Sequence, residues 1–157
     1  MDVDLEDKAG HIEIFDARQK KFIRVLPVEK SDDEWFRTLG VMEYEVARKA
    51  GTEAPFTGRY YKCEEDGIYA CVCCGTDLFL SSDKYDSGTG WPSFRSPVSE
   101  KNIEELSDHS YGMTRTEVRC RRCGAHLGHV FDDGPPPNHL RYCINSASLM
   151  FVPAKKL

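Results

Sequence analysis

No apolar run in this sequence approaches the ~20 residues that a membrane-spanning helix needs, so no span is expected. The amino end, Met1 to Glu6, is acidic and lacks the basic-then-apolar layout of an export signal, which makes a cytoplasmic protein the expectation. Low-complexity segments are missing too. Nor is there an excess of positive charge: 21 Lys and Arg stand against 26 Asp and Glu, for a net charge of −5. A nucleic-acid partner, which would favour a basic patch, is therefore not expected. The one arginine-rich block, Arg115 to Arg122, is interrupted by Glu117 and flanked by acids. It reads more simply as a solvated strand face than as a phosphate-binding stripe.

The chain does have 157 residues, enough to bury one core, and seven cysteines. In a reducing compartment cysteines read as metal ligands and redox thiols before structural disulfides. The odd count leaves at least one thiol unpaired within the chain.

The grammar of the chain changes near residue 52. Before it, His11–Phe15 and Lys21–Leu26 flank the polar turn Asp16-Ala17-Arg18-Gln19 and predict a β-hairpin closed by Pro27. Ser31 and Glu34 have capping-box spacing, with Asp32 and Asp33 suited to a first helical turn. That helix is expected to bury Trp35, Phe36 and Leu39 and to break at Gly40. A second, Val41 to Ala50, would turn Val41, Tyr44 and Val46 inward and stop at Gly51. Beyond Thr52, short apolar segments alternate with Gly, Pro, Asp and Ser clusters about every ten residues, the mark of short antiparallel strands. The expected fold is mainly β: a short helical lead, then a small sandwich or barrel. Residues 1–30 are set apart as an extension carrying the hairpin, and 31–157 as the main domain.

Cys71-Val72-Cys73-Cys74 and Cys120-Arg121-Arg122-Cys123 form two Cys-x-x-Cys turns, each followed by glycine, Gly75 and Gly124. The spacer lets both sulfurs of a turn reach one ion, and glycine permits the left-handed backbone that such a turn needs. Four thiolates from Cys71, Cys74, Cys120 and Cys123 would complete a closed, structural zinc site, leaving Cys73 as a bystander. The 45 residues between Cys74 and Cys120 exceed the 15–20 of a simple ribbon, so the ion would clamp hairpins distant in sequence. Two independent redox motifs are the competing reading, but the βαβ context of such motifs is missing. His126 and His129 are weaker metal candidates, since four cysteines already close a site. They are left for acid–base work, or as satisfied polar residues.

Cys63, Cys73 and Cys143 then remain. On a strand, Arg141, Cys143 and Asn145 share a face, with Tyr142, Ile144 and Ser146 on the other. A cation and an amide beside a thiol suit thiolate chemistry, although a buried cysteine also serves as a small hydrophobe. His126 and His129 would face opposite sides of a regular strand. Both reach one pocket only if the chain bends, and Gly128 is where a bulge is expected.

Three blocks resemble the signatures of methionine-R-sulfoxide reductases. They are Gly90-Trp91-Pro92-Ser93-Phe94; the run from Val118 through Cys120 and Cys123 to His126-Leu127-Gly128-His129-Val130-Phe131-Asp132-Asp133-Gly134; and Arg141-Tyr142-Cys143-Ile144-Asn145-Ser146. The resemblance covers roughly residues 41 to 151. It implies two antiparallel sheets with a structural zinc, reduction of the R epimer of free or protein-bound methionine sulfoxide, and recycling by thioredoxin or a similar dithiol. A monomer goes with that reading. By resemblance, Cys143 is the nucleophile, Trp91 packs on the substrate methyl group with Phe131 as a second binding residue, His126, His129 and Asn145 hold the oxygen and a water, and Arg141 lies near the thiolate. Two departures stand out. Many relatives carry a resolving cysteine where this chain has Thr89, so Cys63 is the expected alternative, with direct attack by an external thiol otherwise. Asn138-His139 replaces a usual Thr-Gly at the pocket rim.

The chemistry sets its own requirement. A thiol of ordinary pKa is only about 3% ionised at pH 7, so full ionisation gains at most ~30-fold, and less once nucleophilicity is counted. A positioned acid supplies ~10²–10⁴-fold by protonating the departing oxygen. Histidine suits that role, His129 in preference to His126. The competing readings are a non-catalytic zinc-ribbon interaction module and a zinc hydrolase. The first leaves Trp91, the histidines and Cys143 unexplained; the second lacks an open coordination position.

Overall fold

A computed structural model describes residues 10–157. Met1 to Glu6, and with it the expectation of no export signal, lies outside the described residues, as does the start of the 1–30 extension. The hairpin is present as β1 (Ile12–Asp16) and β2 (Lys21–Val25), antiparallel from Ile12 opposite Val25 to Asp16 opposite Lys21. It is docked on the body. Asn102, fully buried, takes the Phe15 N–H on its Oδ1 and donates Nδ2 to the carbonyls of Phe15 and Asp77. Arg121 donates to the Glu13 carbonyl and Arg122 to that of Leu26.

Helix α1 (Asp32–Thr38) starts on the capping box that its sequence announces: Ser31 Oγ accepts from Glu34 N–H, and the Glu34 carboxylate accepts from Ser31 N–H. Helix α2 (Val41–Ala47) ends three residues short of the expected Ala50. Two inward assignments need correction. Trp35 is buried, but Phe36 is 55% exposed, resting edge-on against Tyr44, and Val41 is 72% exposed. Helices of seven residues make two turns, and one buried stripe, Trp35 with Tyr44, Val46 and Ala47, is all that they can present.

The body is two antiparallel sheets, as expected. The strands are β3 (Gly67–Cys71), β4 (Asp77–Leu80), β5 (Lys84–Tyr85), β6 (Ser93–Phe94), β7 (Ile103–Asp108), β8 (Arg115–Cys120), β9 (His126–Phe131), β10 (Arg141–Ile144) and β11 (Leu149–Pro153). Six form one sheet in the order β5-β6-β10-β9-β8-β7, and three form another, β11-β3-β4. Aromatic side chains fill the space between them. Phe79 stacks on Phe94 at 4.5 Å between centroids, Tyr69 meets Phe94 at 5.2 Å, and Phe79 meets Tyr142 at 5.9 Å. Phe94 and Tyr142 are directly opposite in register, so their neighbours Ser93 and Cys143, also paired, point to the outer face. Burial on one face thus fixes what the other displays. None of the helices among the described residues is long and apolar enough to cross a membrane.

Candidate functional site

The outer face of the six-stranded sheet carries one continuous row across its centre. Tyr85, Ser93, Cys143, His129 and Glu117 are successive register partners from β5 to β8. Arg141 and Phe131 pair beside that row, and Arg115 and Asp108 pair at its far side. Side chains from five distant stretches therefore meet because the ladder aligns them.

His126 joins this face through a bulge. Val118 pairs with Gly128, but Arg119 pairs with His126, so Leu127 is the extra residue. The two histidines, three apart in sequence, then point the same way, with ring centroids 5.5 Å apart. The bend falls at Leu127, one residue before the expected Gly128. Gly128 serves the next strand instead. A Cβ there would lie 2.0 Å from the Cys143 carbonyl oxygen, so glycine lets β10 come close. The carbonyl of Leu127 accepts both the backbone N–H of Asn145 (2.9 Å) and its Nδ2 (3.1 Å), which fixes that amide at the end of β10.

A cavity of about 240 Å³ opens over the row. Its wall holds Cys143, His129, Asn145, Arg141, Trp91 and Phe131 together, six of the residues read from the sequence. His126 stands behind His129, buried, its Nδ1 2.7 Å from Glu117 Oε2. Burial lowers its pKa, with the Glu117 carboxylate opposing. The Trp91 indole is fixed by its N–H, which donates to the Glu53 carbonyl at 3.0 Å. Arg141 makes a two-pronged contact with Asp133 (2.8 and 3.1 Å) and lies over the Phe131 ring at 4.4 Å.

Cys143 is half-buried. Desolvation raises its thiol pKa, and the Arg141 guanidinium and the Thr89 hydroxyl beside it offset that only in part. Burial thus works against the thiolate that Arg141 was expected to support.

Cys63 is elsewhere. It lines a separate, larger cavity of about 910 Å³ with Phe56, Tyr61 and Lys84. Lys84 is opposite Phe94, so its side chain lies on the inner face, where its ammonium donates to the Cys63 carbonyl at 2.9 Å. The Cys63 thiol lies beside the Tyr69 hydroxyl of the other sheet. Cys63 and Cys143 therefore line different cavities.

The four cysteines of the two turns have sulfurs within 4.8 Å of one another, with Cys71–Cys123 and Cys74–Cys120 each at 3.6 Å. An ion with Zn–S bonds of about 2.3 Å needs sulfurs about 3.8 Å apart, so the set fits. The turns match: Gly75 N–H bonds the Cys71 carbonyl and Gly124 N–H that of Cys120, with φ of +80° and +78°. One turn follows β3 and the other β8, so an ion here would join the two sheets.

Sequence reading missed Glu53, Asp108 and Arg115. Glu53 is buried in a loop; its N–H donates to Asn145 Oδ1, its carbonyl takes the Trp91 indole, and its carboxylate takes the Ala147 N–H. No local pattern marks it. The Arg115–Arg122 block, read as a solvated face, is corrected. Arg119 donates to Glu117 (3.0 Å), Arg115 to Asp108 (3.3 Å), and Arg121 and Arg122 tie down the amino-terminal hairpin. The alternation Arg115, Glu117, Arg119 on one strand face was the legible signal.

Comparison with known proteins agrees with the site. The family model described as the SelR domain matches residues 39–153. The chain is 60% identical over 124 residues to a peptide methionine sulfoxide reductase MsrB of Herminiimonas arsenicoxydans, covering 79% of this chain and 90% of the relative. It is 58% identical over 124 residues to the protein of the same name in Hahella chejuensis, covering 79% and 89%. The corresponding protein of Acinetobacter baylyi is 54% identical over 129 residues, covering 82% and 93%.

Proposed function

The chain belongs to the SelR-domain family of peptide methionine sulfoxide reductases, and we propose that it reduces the R epimer by attack of Cys143 on the sulfoxide sulfur. Methionine sulfoxide is its substrate and a thiol its reductant. The non-catalytic zinc-ribbon reading has no support. One observation supports the stereochemical reading: the cavity brings the Cys143 thiol together with aromatic side chains, Trp91 and Phe131, and polar ones, His129 and Asn145. A sulfoxide sulfur is pyramidal. With its methyl group against an aromatic side chain, its oxygen at a polar one and its lone face toward Cys143, only one direction is left for the rest of the substrate. One epimer fits, in keeping with the separate enzymes that the two epimers require.

In the reaction, the Cys143 sulfur attacks and the sulfoxide oxygen is protonated. Oxygen passes to Cys143, giving a sulfenic acid and the thioether: Cys–SH and R₂S=O become Cys–SOH and R₂S. The substrate sulfur gains two electrons and Cys143 loses two. His129, on the cavity wall, is the donor; Asn145 keeps a second amide hydrogen beyond the one given to Leu127. The ion of the cysteine cluster is zinc in this reading, held by Cys71, Cys74, Cys120 and Cys123, and its contribution is to the fold. A reducing, cytoplasmic setting, a thioredoxin-type dithiol as reductant and a monomer complete the reading. Driving the enzyme with dithiothreitol on each separated epimer tests the stereochemistry. The R epimer is consumed and the S epimer remains; turnover of the S epimer overturns the reading.

Recycling through Cys63 remains the proposal, and it requires movement. A disulfide needs Cα atoms about 4.4–6.8 Å apart, whereas adjacent strands already stand about 4.8 Å apart. Cys63 and Cys143 line different cavities, and Lys84 holds the Cys63 carbonyl. The segment before β3 must therefore leave Lys84 to reach Cys143. Cys63→Ser is expected to keep one turnover per enzyme while slowing thioredoxin-driven cycling by tenfold or more, and mass mapping after one turnover should find a Cys63–Cys143 disulfide. Unchanged cycling in Cys63→Ser assigns recycling to direct attack by the external thiol.

A further inference from the structure

Both histidines of the site are held in the same way, but in opposite senses. His126 Nδ1 lies 2.7 Å from Glu117 Oε2, and Arg119 Nε donates to that same oxygen at 3.0 Å. His129 Nε2 lies 2.7 Å from Asp108 Oδ2, and Arg115 Nη2 donates to that same oxygen at 3.3 Å. Each ring therefore has a carboxylate behind it and an arginine behind the carboxylate. The nitrogen engaged differs: Nδ1 in His126, Nε2 in His129. A neutral imidazole places its N–H on the side of a carboxylate acceptor, so the two rings are held as opposite tautomers.

We propose that Asp108, gripped by Arg115, is the positioning residue that holds the His129 N–H on Nε2 and leaves Nδ1 as the atom that protonates the sulfoxide oxygen. This rests on the reading of Cys143 as nucleophile. His129 lines the cavity with Cys143, and with Nε2 committed to Asp108 the remaining ring nitrogen serves the reaction. The imidazolium gives its Nδ1 proton to the oxygen as the Cys143 sulfur bonds to the substrate. The neutral ring left behind carries its N–H on Nε2, the form that Asp108 already accepts, so no ring flip or proton migration follows donation.

Asp108 is itself prepared for this. Ser110 N–H donates to its Oδ1 at 2.9 Å, and the His129 ring, with Ser110, holds its carboxyl well below the ordinary range. It stays an anion wherever the enzyme works. Arg115 fixes the carboxylate in place and also draws charge from it, which keeps Asp108 from taking the proton outright. The groups facing His129 are Asp108 from β7, Arg115 and Glu117 from β8, His126 from its own strand, and Cys143 and Arg141 from β10. Of these, Asp108 is the one in contact with the ring nitrogen.

Nitrogen NMR of the resting, metal-loaded protein labelled at histidine reads the tautomers without turnover. With both rings neutral, His129 is expected as Nε2–H and His126 as Nδ1–H. His129 found as Nδ1–H overturns the proposal whatever any variant does. Asp108→Asn is expected to lose that tautomer preference and to slow single turnover of the R epimer by about 10²-fold. A wild-type rate in Asp108→Asn, or a lower rate with the His129 tautomer unchanged, overturns the proposal. Failure of the Cys143 reading would show as methionine still formed by Cys143→Ser, with the tautomer result still standing.

Discussion

Cys143→Ser will form no methionine in a single turnover, a loss of several orders of magnitude, while binding its metal and melting like the wild type. The size of the effect follows from what the residue does. In the proposed reaction Cys143 accepts an oxygen atom and gives up two electrons, which a serine hydroxyl cannot do. No other cysteine can stand in. Cys63 lines a different cavity, Cys73 lies in the first Cys-x-x-Cys turn, and the other four are gathered in one cluster. The substitution itself is nearly isosteric at a half-buried position, so stability and the cavity wall survive it. A variant that is unfolded would lose metal as well as activity, and metal content separates the two outcomes.

The second large effect is on the fold. Cys120→Ser is expected to yield a protein that holds no stoichiometric zinc and has no cooperative melting transition at ordinary temperature. A four-thiolate site contributes on the order of 10 kcal/mol, against a net stability of roughly 5–15 kcal/mol for a whole domain. The loss is therefore comparable to everything that keeps the chain folded. Its location explains why packing does not compensate. The four cysteines of the proposed zinc site come from the ends of β3 and β8, one in each sheet, and Cys71 and Cys120 are fully buried there. Without an ion, buried thiols would be brought together between the two sheets. Metal analysis and thermal denaturation of the variant check this; a metal-free variant melting like the wild type would contradict it.

Local patterns carried most of the fold. The capping box at Ser31 and Glu34, the hairpin turn, and the glycines after each Cys-x-x-Cys turn are contacts within a few residues, and each was readable. Phe36 and Val41 were misplaced because hydrophobicity alone does not say which stripe of a two-turn helix meets the sheet. The site divides the same way. Alternation put Arg141, Cys143 and Asn145 on one face, and the three-residue spacing of the histidines demanded a bulge, which the ladder supplies at Leu127. Glu53 and Asp108 were illegible. Their partners, Asn145 and His129, are 92 and 21 residues away, and a lone acid in a loop or at a strand end carries no mark of such a pairing.

Attack by Cys143 is tested most directly by mixing reduced enzyme with excess methionine sulfoxide and no reductant. A sulfenic-acid trap is added before the modified cysteine is mapped by mass spectrometry, and Cys63→Ser is used so that the sulfenate persists. One methionine per enzyme and the trap on Cys143 are expected. Methionine formed with Cys143 unmodified, or the trap on another cysteine, would contradict the assignment.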